Sequence, residues 1–347
     1  MYIKRILLMV ALLGLLLGGA FAFMVYRAFF SPNTAFENQQ AFVYIRTGAT
    51  YEEVSEQLRP LLKDPETFEA VARRKKYTGN IRPGRFPLDK GMNNNELVNA
   101  LRSRNTPVRV SFNNQETPEA LAGRIASQLE ADSLALLSAI TDPAFLGEHG
   151  LTADQALVPY IPNSYEFFWN TSAPEFRARM LQEYERFWTD GRRQKAEKLG
   201  LSPAEVIALA SIVHKETAKA DERPRVAGVY LNRLRRRIPL QADPTVIFAL
   251  KKESGNFDTV IRRVLYRDLQ LNSPYNTYKY AGLPPGPIFM PDISAVDAVL
   301  DPERHNYLYF VADTSNFGYH LFAETLTQHN RNKAQYIRWL NAQKINR

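Results

Sequence analysis

The chain has 347 residues and a net charge of +8, from 44 basic and 36 acidic side chains; 45% of its residues are hydrophobic and none is cysteine. That length exceeds one minimal domain and suggests two plus appendages, and the apolar content supports a packed core. Without cysteine, disulfides, thiolate metal sites and a thiol nucleophile are excluded, while the basic excess suits an anionic partner: nucleic acid, lipid headgroups or cell-wall polymer.

The run from Ile6 to Tyr26 carries no charge and is long enough to cross a bilayer core as a helix. Lys4 and Arg5 precede it and Arg27 follows. Two cations and the amino terminus on the short side predict a cytoplasmic N-terminus with the remainder outside. Ala20-Phe21-Ala22 resembles a signal-peptidase site, which leaves cleavage as the alternative. The apolar run continues through Met24-Val25-Tyr26, longer than a usual signal core, and favours a retained single-pass anchor in the cell (inner) membrane. Residues 1–28 are thus read as cytoplasmic N-terminus and transmembrane anchor, and 29–40 as a linker.

A small domain is predicted over 41–107. Phe42-Val43-Tyr44-Ile45 reads as a strand, and Thr50-Tyr51-Glu52-Glu53 is a capping box opening a helix through about Leu62. Asp64-Pro65 opens a second helix through about Lys76. Ile81 to Leu88 reads as extended, and Asn95 to Arg102 as a short helix. The order strand, helix, helix, strand and the stretch GATYEEVSEQL resemble a LysM module, a fold that binds polymers containing N-acetylglucosamine.

The rest, 108–347, reads as a larger mixed α+β domain, so the fold class is α+β throughout. Val108 to Phe112 alternates like a strand, and Asn306 to Asp313 is apolar and aromatic-rich, also strand-like. Helices are predicted at 117–131, 133–140, 173–189, 203–218, 222–236, 244–252, 294–300 and 325–345. The five histidines, His149, His214, His305, His320 and His329, have no HExxH-like spacing, so neither a zinc site nor a cofactor is predicted. No strand-plus-aromatic RNA signature or strong helix-turn-helix cue favours nucleic acid as the partner.

The most informative helix is 203–218. Ser202-Pro203-Ala204-Glu205 is a capping box with proline at the first helical position. Val206, Leu209, Ala210, Ile212 and Val213 form one apolar stripe, and Glu216 falls on it; Lys215 and Ser211 are expected to point the other way. A carboxyl on a buried face loses hydration and stays protonated to higher pH, as a general acid must. A glutamate that snorkels to solvent or pairs with arginine fits the pattern too. Asn232-Arg233 reads as able to face a cleft or as hydrogen-bonding at the core edge. Asp243, before Pro244, reads as an N-cap and is also the nearest second carboxylate. Ser273 to Tyr278 concentrates hydrogen-bonding groups and two aromatic rings, suited to sugar rings or simply to a turn covered by tyrosines. The loop from Tyr160 to Phe167 is comparable, and Gly282 to Ile288 is a rigid loop able to form a cleft wall.

In order, the segments YIPNSYEFFW, ALASIVHKET, DERPRVAGVYLNRL, LQADPTVIFAL, SPYNTYKYAGLPPGPI, NYLYFVAD and GYHLFAETLTQHN resemble the YceG-like endolytic murein transglycosylases over nearly the whole chain. The resemblance implies that Glu216 is the catalytic acid, and that Gln241, Tyr275, Asn276 and Tyr278 contact substrate. It implies cleavage of the β-1,4 bond between N-acetylmuramic acid and N-acetylglucosamine in nascent peptidoglycan glycan strands. The muramyl C6 hydroxyl attacks its own anomeric carbon, leaving a 1,6-anhydro end and ending strand growth. The partners implied are the glycan strands, the lipid bilayer and nearby peptidoglycan synthases. Two other functions stay open: a hydrolytic muramidase with Asp243 as second carboxylate, and a non-catalytic peptidoglycan-binding scaffold. One departure is His214, where the family commonly has an acidic residue; helix geometry turns it well away from Glu216.

Overall fold

A computed structural model describes residues 2–342; the tail of the helix expected at 325–345 lies partly outside them. The chain divides into two compact units. Among the described residues the first holds 2–110 with the short stretches 128–131 and 165–172; the second holds 111–127, 132–164 and 173–342.

In chain order the first unit contains α1 (Tyr2–Phe30), β1 (Gln40–Ile45), α2 (Tyr51–Leu58), α3 (Pro65–Arg74), β2 (Gly84–Asp89) and α4 (Asn94–Ser103). Helix α1 is 29 residues long and exposes its apolar side chains along nearly its whole length. At 1.5 Å per residue it reaches about 43 Å, enough for a bilayer core and both interfaces. The expected capping box forms at Thr50, the start of α2, and a second, not expected from sequence, forms at Asn93, the start of α4. Strands β1 and β2 pair antiparallel, from Gln40 opposite Asp89 to Ile45 opposite Gly84. Alternation puts Val43 and Ile45 on the same buried side as Phe86 and Leu88, against Val54, Leu58, Phe68 and Leu97. Gly84 has φ +140°, and a Cβ there would lie 2.4 Å from Asn105, whose Oδ1 accepts from the Arg85 amide. Only glycine fits that close approach.

The stretch expected to be a linker is tied down. Asn33 is buried, its Nδ2 donating to Asn94 Oδ1 at 2.6 Å and to Asp64 O at 2.8 Å. The Asn94 amide in turn donates to Ala28 O at 2.7 Å, joining the end of α1 to the β1–β2 unit.

Strands β3 (Pro107–Phe112) and β4 (Asn163–Phe168) pair with each other, so the aromatic segment near Tyr165 is a strand rather than a loop. The second unit contains α5 (Pro118–Ala126), α6 (Ser133–Ile140), α7 (Pro143–Glu148), α8 (Ala173–Phe187), α9 (Asp190–Leu199), α10 (Pro203–Glu216), α11 (Arg223–Arg235), α12 (Asp243–Ser254), α13 (Ile293–Leu300), the antiparallel hairpin β5 (Tyr309–Ala312) and β6 (His320–Ala323), and α14 (Leu326–Ala342). Helices α7 and α9 and strand β6 lay outside the sequence expectation.

Helix α10 is the centre of this unit, packed against α9, α11, α12 and α13. The Ser202–Glu205 capping box starts it as expected. The single-stripe expectation is corrected: every residue from Val206 to Val213 is buried, as in a helix covered on all sides. Ser211, expected on the outer side, is among them. Its Oγ donates to Ala208 O at 2.7 Å and accepts from the Ile288 amide at 3.1 Å, which satisfies it without water.

Candidate active site

Helix α10 ends at Glu216, and its last turn opens into a cavity of about 310 Å³. Residues from five further segments converge there: Tyr230 and Arg233 from α11, Gln241 and Asp243 at the start of α12, Tyr278, and Tyr309, Phe310 and His329 from β5 and α14. Glu216 is half-buried and Tyr230 fully so. The Tyr230 hydroxyl donates to Glu216 Oε1 at 2.6 Å. Burial pushes the Glu216 carboxyl up to about 7; the Tyr230 hydrogen bond and the Arg233 guanidinium oppose the rise, and the nearby Asp243 carboxylate adds to it. A glutamate that shares a cleft with a guanidinium and still holds its proton near neutrality has the properties of a general acid.

Arg233 is 7% exposed, and the fold consumes most of its donors. Nε donates to Leu308 O at 2.7 Å, and one terminal nitrogen to Leu240 O at 2.7 Å and Pro239 O at 3.1 Å. That fork fastens the approach to α12 and the approach to β5 to α11. The same nitrogen reaches Gln241 Oε1 at 3.4 Å. Behind Tyr230, the Phe310 ring meets its edge at 5.9 Å, and Phe310 is backed by the His320 ring at 5.1 Å. His320 is held by Glu222, to whose carboxylate its amide donates at 2.7 Å and beside which Nδ1 lies at 2.8 Å.

Gln241 has φ +51°, a left-handed conformation costly for a residue with a Cβ. Thr277 holds it there: Gln241 N donates to Thr277 O at 3.0 Å, and Ala242 N to Thr277 Oγ1 at 3.0 Å. The Tyr278 hydroxyl donates to Asp243 Oδ1 at 2.5 Å. Asp243 is therefore not the helix cap expected from sequence; Ala242 occupies that position, and the Asp243 carboxylate is spent on Tyr278.

Of the residues singled out from sequence, Glu216, Gln241 and Tyr278 share the cavity, together with Asp243. Tyr275 and Asn276 do not line it. Asn276 is fully buried: Nδ2 donates to Leu269 O and Leu271 O, and Oδ1 accepts from Tyr278 N at 3.0 Å. Its amide shapes the turn that presents Tyr278. Tyr275 packs on Phe248 and donates to Asp154 at 3.2 Å, beside a different pocket. The aromatic-polar composition of this loop thus serves packing on one side and the cavity on the other. His214 faces Asp292 and Phe289; the Asp292 amide donates to its Nδ1 at 3.2 Å.

Tyr230, Tyr309 and His329 were missed as site residues. Tyr230 lies 14 positions after Glu216 in an apolar helical pattern that marks it only as core. Arg233, read from sequence as facing a cleft or bonding at the core edge, does both: it lines the cavity and fastens main-chain carbonyls. Among the described residues no group of His, Asp or Glu gathers in a way that could hold a metal ion.

The profile of the YceG-like family matches residues 43–335. An endolytic murein transglycosylase from Bacillus subtilis (strain 168) is 28% identical over 341 residues, covering 93% of this chain and 91% of that protein. Another, from Streptococcus pneumoniae D39, is 26% identical over 351 residues, covering 92% of this chain but 62% of its own longer length. A crystal structure of a YceG-like protein from Listeria monocytogenes is similar at 27% identity with a TM-score of 0.57, covering 85% of this chain and 99% of that one. With the match extending from β1 into α14 and through every segment of the cavity, the chain belongs to the YceG-like family.

Proposed function

We propose that this protein is a lytic transglycosylase of peptidoglycan, acting within glycan strands with Glu216 as its acid. The observation that carries the reading is the Glu216 carboxyl itself. It is raised to about 7 by burial, hydrogen-bonded by Tyr230 and open to a polar-aromatic cavity. Protonated Glu216 donates to the departing glycosidic oxygen, and the carboxylate left behind accepts the proton of the muramyl C6 hydroxyl as it closes on the anomeric carbon. The nucleophile belongs to the same sugar, so a held geometry supplies much of the rate and no second carboxylate is required. Tyr230 and Arg233 stabilise the transient carboxylate. Gln241 and Tyr278 orient the sugar.

The test is Glu216→Gln acting on isolated sacculi. Loss of anhydro-muropeptides is expected; release at an undiminished rate removes Glu216 from the role. Asp243 beside Glu216 supports hydrolysis as a second reading. Products of hydrolysis are heavier by one water, so mass analysis separates the two. A scaffold without activity releases no soluble fragments.

Helix α1 supports a single-pass anchor, with Lys4 and Arg5 at its start favouring a cytoplasmic N-terminus and a body outside the cell membrane. Anchoring there sets the cavity beside peptidoglycan synthases, where new strands emerge. The β1-α2-α3-β2 order supports the LysM likeness, and a cleft of about 610 Å³ beside Gly48, Thr50, Tyr51, Arg73 and Thr78 suits a glycan chain. In this reading the first unit binds glycan on its own cleft.

A further inference from the structure

The polar groups nearest the chemistry are already paired within the fold: Glu216 with Tyr230, Asp243 with Tyr278, and Arg233 with main-chain carbonyls. His329 differs from them. It sits in the first turns of α14 and lines the cavity. Its Nδ1 is buried and meets no hydrogen-bond partner among the described residues. A buried ring nitrogen left unpaired costs free energy, and in a native cleft it calls for an explanation.

The ring is nonetheless firmly placed. It stacks on Tyr309 with centroids 5.3 Å apart and planes 26° from parallel. The Arg233 guanidinium lies 5.2 Å from the centre of the same Tyr309 ring. The imidazole from α14 and the guanidinium from α11 thus both lie against the Tyr309 ring of β5, and all three line the cavity that holds Glu216. Burial, and then the nearby cations Lys333 and Arg233, hold the His329 pKa below its ordinary value, so the ring is uncharged at neutral pH. A neutral imidazole carries one donor and one acceptor, which matches the donor–acceptor character of a sugar hydroxyl or an acetamido group. A half-turn about χ2, a broad two-fold torsion, exchanges the unpaired nitrogen with a ring carbon and lets either nitrogen be used.

We propose that His329 is a substrate-binding residue of the cleft, hydrogen-bonding a hydroxyl or N-acetyl group of an N-acetylhexosamine unit that lies beside Glu216. The inference rests on reading the cavity as a glycan site, and it adds the C-terminal helix to the elements that recognise substrate. The stack on Tyr309 holds the imidazole in place before the sugar arrives, so little ordering is left to binding.

The experiment measures binding of solubilised glycan strands by the full chain in detergent, in a Glu216→Gln background that prevents turnover. His329→Phe keeps a flat ring on Tyr309 and removes both nitrogens. His329→Gln keeps a donor and an acceptor. The expected result is a Kd about tenfold weaker for His329→Phe, equivalent to about 1.4 kcal/mol, with recovery to within about threefold for His329→Gln and an unchanged Tm. An unchanged Kd for His329→Phe overturns the inference. Equal losses in both variants with a lowered Tm also overturn it, because they mark a packing role. Parallel digestion by the protein with Glu216 intact separates this inference from the catalytic reading. Cleavage with a Kd indifferent to residue 329 sinks the inference alone. Binding that depends on residue 329 without any cleavage sinks the catalytic reading alone. Glycan bound by no form sinks both.

Discussion

Replacing Glu216 with glutamine tests the state of this carboxyl apart from any activity. An ordinary glutamate titrates near 4.5, and in the fold Glu216 is raised to about 7. At 1.36 kcal/mol per tenfold change in proton affinity, that rise amounts to about 3 kcal/mol. Its sign follows from proton counts. Between these two values the unfolded chain has lost the Glu216 proton while the folded chain keeps it, so stability falls as pH rises. The penalty is absent below the unfolded value and complete above the folded one. Glutamine accepts the Tyr230 hydrogen bond through its Oε1 and carries no proton to lose. Glu216→Gln is therefore expected to match the wild type at about pH 4.5 and to exceed it by about 3 kcal/mol at about pH 8. Urea unfolding followed by tryptophan fluorescence, to which the buried Trp188 contributes, reads the difference across that range. A stability difference that stays flat with pH would show an unperturbed carboxyl and refute the argument for a buried acid.

Tyr230→Phe removes the hydrogen bond that its hydroxyl donates to Glu216 Oε1. The carboxylate formed on proton donation loses a donor worth about 1.5–3 kcal/mol, so kcat drops roughly 10- to 100-fold. The alkaline limb of kcat/KM moves to higher pH, because Tyr230 holds the Glu216 pKa down; a limb that stays put counts against the pairing. Arg233→Lys leaves the carbonyls of Leu308, Leu240 and Pro239 without the guanidinium fork. A drop of about 2–4 kcal/mol is expected in urea unfolding, and a loss under about 0.5 kcal/mol would show the fork to be dispensable. Gln241→Gly relieves the left-handed backbone at that position and is expected to raise stability by up to about 1 kcal/mol while weakening glycan binding. A variant both less stable and fully active contradicts this account.

Much of the molecule follows from local chemistry. The boundaries of α2, α3 and α10 are written in capping boxes and prolines, because those side chains satisfy amide groups that any helix start leaves open. The apolar run of α1 needs only its length and lack of charge. Gln241, Glu216 and Tyr278 were legible as candidates because several motifs stood in a known order, not because any of them is distinctive by itself. Short elements escaped. Strand β6 is four residues long and reads as strand only when paired with β5, and the charged helix α9 has almost no buried face to mark it.

What the sequence determined, then, is most of the longer elements and a short set of candidate residues headed by Glu216. What tertiary structure decided is which polar groups are used up inside the fold and which face the cleft. Asn276 and Gln241 carry similar amides on the same stretch of motifs, yet one is spent on the carbonyls of Leu269 and Leu271 while the other is turned toward the cavity. Ser211 and Asp243 were likewise reassigned, to Ile288 and Tyr278. Tyr230, Arg233 and His329 reach Glu216's cleft only because α11, β5 and α14 close around the end of α10. Hydrogen-bond partners and desolvation depend on neighbours distant in the chain, so a carboxyl with an ordinary local sequence acquires its proton affinity only when those neighbours have assembled around it.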